Sequence, residues 1–172
     1  VNGYRDITSM TYGGQAMTQV QEIAAGASTG FSDRLEVWML PESGIILASG
    51  TTITPTYAAA TLQENVEFFT SAVFQNIDQS SPVSASVTTA INSSANPHQL
   101  DSPLSVIPDA ICVTAVICGN NTSPASSPGG TNTYTINSSF VEGTDIYTSN
   151  PSFATSGISV ETATKLCTAT GS

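Results

Sequence analysis

The chain has 172 residues, three basic against thirteen acidic, a formal charge of −10 and a charged fraction of 9%, far below the ~25% of an ordinary soluble domain. Arg5, Arg34 and Lys165 are its only Lys or Arg residues, so it cannot neutralise a row of phosphates, which excludes nucleic acid and anionic membranes as partners. Hydrophobic residues make up 40% of the chain, enough to exclude disorder, and Ser and Thr, 24 of each, must supply the polar surface in place of ions.

The length predicts a single domain over residues 1–172. No apolar run approaches the ~20 residues that span a bilayer, so direct membrane insertion is not expected. Val1-Asn-Gly-Tyr-Arg5 has neither an initiator Met nor an apolar signal region and reads as a mature end left after processing. Residues 1–10 are a candidate extended arm.

In chain order, Ala16, Met17, Val20, Ile23 and Ala24 recur at three- and four-residue steps before Gly26, which predicts a short helix over 15–25. A hairpin follows, with strands over 35–40 and 45–53 joined by Pro41-Glu-Ser-Gly44. Leu40-Pro-Glu-Ser-Gly44 resembles the Leu-Pro-x-Thr-Gly signal by which surface proteins are joined to a cell wall. Its internal position and the Ser in place of Thr favour a hairpin turn instead.

Thr61-Leu-Gln-Glu64 matches a capping box. Leu62, Val66, Phe69, Val73 and Ile77 then form one stripe, predicting an amphipathic helix of about four turns, with Glu64, Glu67, Ser71 and Asp78 outside the stripe. Past residue 80 the period becomes two, and Val83, Ala85, Val87, Thr89 and Ile91 predict a half-buried strand. Residues 96–103 read as a loop. Ile111-Cys-Val-Thr-Ala-Val-Ile-Cys118 is apolar on both faces and predicts a central strand. Residues 119–132, rich in Gly, Pro and Ser, read as an exposed loop. Strands are predicted over 133–140 and 158–167. The fold class expected is mainly β: an antiparallel sandwich of about seven strands with one or two packed helices. An α+β sheet covered by helices is the alternative.

Cys112 and Cys118 lie six apart on an extended strand, roughly 20 Å at ~3.3 Å per residue, beyond the ~7 Å reach of a disulfide. One of them is expected to join Cys167, leaving the other as a buried thiol or bonded to a neighbouring chain. Sequons mark Asn92, Asn120, Asn121 and Asn137 as glycosylation candidates. With a single histidine, His98, no metal site is expected.

Gly26-Ala-Ser28-Thr-Gly30 has the string of a nucleophile elbow, and Asp33, Asp78 and His98 follow it. The predicted context, helix before and strand after, is the reverse of the strand-to-helix turn that strains and exposes such a serine. His98 sits in a polar loop, and Glu64 and Glu67 on a solvated helix face. No catalytic residue, cofactor or metal is therefore assigned.

The expectation is an extracellular structural subunit that self-assembles into a filament, appendage or surface coat. Its strands are rich in hydroxyls, its surface is sparsely charged, and few lysines guard its strand edges. Its partners are other copies of itself, with strand exchange by residues 1–10 or the strand at 158–168 as a route. The first alternative is a secreted carbohydrate-binding or adhesion module using Trp38, Tyr134 or Tyr147 as stacking surfaces. The second is a small serine hydrolase centred on Ser28.

Overall fold

The computed structural model describes residues 6–25, 33–58, 69–89, 104–105, 107–120, 140–149 and 157–167. Among these residues the fold is mainly β, with eight strands in three antiparallel sheets and one short helix.

The first sheet has the order β2-β1-β5. β1 (Ile7–Tyr12) and β2 (Gln15–Ala16) are joined by Gly13-Gly14. Both glycines have positive φ, 53° and 82°, the backbone that lets a two-residue hairpin follow the twist of its strands. The other edge of β1 pairs with β5 (Ile53–Tyr57). β5 contains Pro55, opposite Met10, and a proline is tolerated there because, among the described residues, no strand pairs with the far side of β5.

The second sheet pairs β3 (Thr18–Ala25) with β4 (Asp33–Met39) from Thr18↔Met39 to Ala25↔Asp33. The helix expected over 15–25 is therefore a strand. A register shift between Gln19 and Gln21 makes Val20 an extra residue, and such a bulge offsets the two halves of a period-two pattern into one that imitates helical spacing.

The expected hairpin over 35–53 is also corrected. After β4 the chain enters α1 (Glu42–Leu47), with Pro41 at its N-cap and the N–H groups of Gly44 and Ile45 bonding to the Pro41 carbonyl at 2.9 and 3.1 Å. The turn read from Pro-Glu-Ser-Gly is the first turn of this helix. Continuing it leaves Ile46 and Leu47 mostly exposed, at 73% and 67%. Residues 48–52 then lead into β5, held where the Ser49 N–H and hydroxyl both donate to the Gly13 carbonyl.

No helix is present over 69–78, the described part of the expected four-turn helix. Val73 is 79% exposed, so this part of the stripe is left unpacked, and Asn76 at φ 61° is left-handed and incompatible with a helix interior. Residues 83–89 carry the alternation of a strand but join no ladder; the Gln21 amide donates to the Ser86 hydroxyl at 3.3 Å. A period-two pattern gives a strand only where an edge receives it.

The third sheet has the order β6-β8-β7. β6 (Ile111–Asn120) pairs with β8 (Gly157–Leu166) without irregularity from Ile111↔Leu166 to Asn120↔Gly157. β7 (Val141–Ser149) pairs with the other side of β8, with an irregularity at Gly143-Thr144. Among the described residues the strand expected to be central, β6, is thus an edge strand, and β8 is central. Burial on β8 falls on Val160, Glu161 and Ala163, followed by Cys167, while Leu166 is 58% exposed. The strand expected over 133–140 lies outside the described residues except Phe140.

Gly13 tests the first hairpin. A Cβ there would strike the Gly50 carbonyl oxygen and lie 2.8 Å from the Ala48 Cβ, whereas a Cβ on Gly50 meets nothing within 4 Å. Gly13→Ala is expected to destabilise by about 2–3 kcal/mol, and Gly50→Ala to remain within about 0.5 kcal/mol of the parent. Thermal melts of the two variants check this.

Candidate functional site

Glu22 on β3 and Glu36 on β4 are directly opposite one another. Like charges at opposite positions of a ladder repel, and the chain resolves this with a residue from the next row. Arg34, two residues before Glu36 and so on the same face, brings its Nη1 to 2.7 Å from Asp6 Oδ1, 2.8 Å from Glu22 Oε2 and 3.7 Å from Glu36 Oε1. Asp6 immediately precedes β1, so the guanidinium ties the first sheet to the second.

Glu36 is the buried member of the group, its side chain 5% exposed. Its Oε1 accepts from the Ile7 N–H at 3.2 Å, and its Oε2 accepts from Trp38 Nε1 at 3.0 Å and Gln19 Nε2 at 3.2 Å. Gln19 Nε2 also donates to Glu22 Oε2 at 3.0 Å. The buried carboxylate therefore has neutral donors in addition to its cation, which is what a buried charge requires. Asp6 and Glu22 remain nearly half exposed, and exposed pairs of this kind contribute little on their own.

Carboxylate oxygens of Asp6, Glu22 and Glu36 lie within 4.8 Å of one another, a spacing a metal ion could use. The guanidinium already stands among them, so the cluster functions as an internal ion pair, with Arg34 as its cation. Sequence reasoning counted Arg34 only as one of three cations. The available signal was the Arg34-x-Glu36 spacing, which puts both residues on one face of a strand.

The cysteines form a second group. Cys112 is opposite Lys165, two residues from Cys167, while Cys118 is opposite Ser159. Cys118 thus pairs eight residues from Cys167 along β8, roughly 26 Å away, and Cys112 is a diagonal neighbour of Cys167 on the same face. Of the two pairings left open by the sequence, only Cys112 with Cys167 is within a neighbouring position. Both are thiols here. Burial pushes the Cys112 thiol above its ordinary value of 9.0, the adjacent Cys167 adds to the rise, and Lys165 opposes it. Lys165 Nζ also lies 5.6 Å from the Phe140 ring centroid, in cation–π range.

The other sequence candidates are not brought together. Asp78 is exposed, and its Oδ1 accepts from the Ser80 hydroxyl at 2.7 Å and the Ser80 N–H at 2.8 Å, which hold its carboxyl below the ordinary carboxylate value. That is a local turn. Asp33 begins β4, while Ser28, His98, Glu64 and Glu67 lie outside the described residues, as do Asn92, Asn121 and Asn137. Asn120 ends β6. Trp38 is half-buried with its indole N–H committed to Glu36; Tyr134 lies outside the described residues, and Tyr147 is placed on β7 by its backbone alone. A shallow depression of about 370 Å³ beside α1 is lined by Pro41, Glu42, Ser43, Ile46 and Gln79, a set with one carboxylate, one hydroxyl and one amide. No known protein family, curated protein or solved structure matches the chain.

Arg34→Met leaves Glu36 buried beside two further carboxylates and is expected to cost about 2–3 kcal/mol, a fall in Tm of roughly 5–10 °C for a chain of this size; calorimetry of the purified variant reads it. The raised Cys112 value makes a second expectation. Folding favours the neutral thiol, so this contribution is fully present below about pH 9, the ordinary value, and is lost as pH rises above it. Melts from pH 8 to 10.5 should show a decline that Cys112→Ser reduces.

Proposed function

We propose that the chain is an extracellular structural subunit that assembles with copies of itself into a filament, appendage or surface coat, its sheets stacked as an antiparallel sandwich and its copies joined along strand edges. The observation that carries this reading is the number of open edges. Among the described residues six of eight strands, β2, β3, β4, β5, β6 and β7, have a neighbour on one side only. An unpaired edge presents a row of N–H and C=O groups to any strand that can align with it.

The charge distribution supports the same reading. Arg34 is committed to three carboxylates and Lys165 lies over Phe140, so neither serves as the outward lysine or arginine that discourages edge pairing. β1 and β8, which overlap the segments considered for strand exchange, are each bonded on both sides within their own sheet. Donating either one would break two ladders, whereas joining open edges leaves each subunit intact. Edge pairing is therefore the favoured route.

At a formal charge of −10 copies repel one another at long range, and salt screens that repulsion within a Debye length of ~8 Å at 0.15 M. Sedimentation across a concentration series at low and moderate salt should show mass rising with both variables, and electron microscopy should show ordered assemblies. A monomer at the highest concentration and at both salt levels would overturn the proposal.

A further inference from the structure

β6 differs from the other open edges. It has ten residues without Lys, Arg, Asp, Glu or Pro, whereas β3, β4 and β7 carry charges, β5 contains Pro55, and β2 has only two residues. Its inner side is fully paired to β8, and among the described residues no strand forms a ladder with its outer side; β4 lies near β6 without pairing to it. Val113 and Val116, which alternate onto opposite faces, are 51% and 44% exposed. In a chain of charge −10 this is the edge where a second copy meets the least repulsion.

Its sequence is also nearly self-complementary when reversed. Cys-Val-Thr-Ala-Val-Ile-Cys, residues 112–118, runs small-apolar-hydroxyl-small-apolar-apolar-small about Ala115. We propose, building on the assembly reading above, that β6 pairs antiparallel with β6 of a second copy about a two-fold axis at Ala115. In this register Ala115 faces its own counterpart, Val113 faces Ile117 of the second copy, Thr114 faces Val116, and Cys112 faces Cys118. The contact is isologous, so every pairing except Ala115 with its counterpart occurs twice, and it covers half-exposed valines on both faces. The two three-stranded sheets become one sheet of six strands with order β7-β8-β6-β6-β8-β7. Such a contact closes a dimer, and longer assemblies would grow from another edge.

Single-cysteine variants test the register in the full chain. In a background of C112S, C118S and C167S, A115C places two thiols opposite one another across the axis, while V113C leaves them four residues out of register, roughly 13 Å apart. With oxidised glutathione as oxidant, each crosslink joins two thiols and passes two electrons and two protons to the glutathione disulfide. A115C is expected to form covalent dimer at least about tenfold faster than V113C, because pairing raises the effective thiol concentration. V116K, a charge placed on the edge with the native cysteines retained, should abolish the dimer while circular dichroism stays at the parent spectrum. Equal crosslinking of A115C and V113C in a chain that still sediments as an assembly overturns this edge and leaves the assembly reading standing. Equal crosslinking in a chain that sediments as a monomer overturns both.

Discussion

Arg34 is the interaction on which the described arrangement turns. Two glutamates stand opposite one another in the β3–β4 ladder, one of them buried, and an aspartate arrives from the segment that opens β1. Without a cation between them the ladder would bring together like charges and the start of β1 would be repelled from β4. One guanidinium reverses the sign of all three relations. All three carboxylates converge on Nη1, so one nitrogen of the planar guanidinium, with its two N–H groups, serves the whole cluster. Glu36 then serves as a hub, accepting from the Ile7 backbone, the Trp38 indole and the Gln19 amide, so the start of β1, β3 and β4 are joined by polar contacts.

Polar joining matters here because apolar burial is limited. Among the described residues the buried apolar side chains are Met10, Val160, Ala163 and Cys167, while thirteen large hydrophobics are exposed. Sheets of two or three strands have more edge than interior, and each covers little of its neighbour's surface. Small cores leave small net stability, and exposed apolar surface together with open edges favours contact with other chains. A subunit of the kind proposed would complete its burial on assembly.

Several elements were legible because their causes are local. Residues 35–39, 111–118 and 158–166 are strands as their β-branched and alternating composition indicates. The helical reading of 15–25 failed at the bulge at Val20, which depends on the pairing with β4. The helical reading of 69–78 failed because a stripe of apolar residues makes a helix only when a complementary surface receives it. The cation of the Arg34 cluster was visible only as one count among three, since Asp6, Glu22 and Glu36 meet it through contacts spanning up to 28 residues.

By itself the sequence determined the class of the protein: mainly β, poor in charge, rich in hydroxyls, with three cations in all. These properties are sums over residues and do not depend on which segment lies beside which. Among the described residues, tertiary structure decided that β8 and not β6 is central, that Cys112 and not Cys118 neighbours Cys167, and that one arginine holds three acids. Each of those is a matter of register or strand order, and a ladder's partner is chosen by long-range pairing that a local pattern permits without specifying.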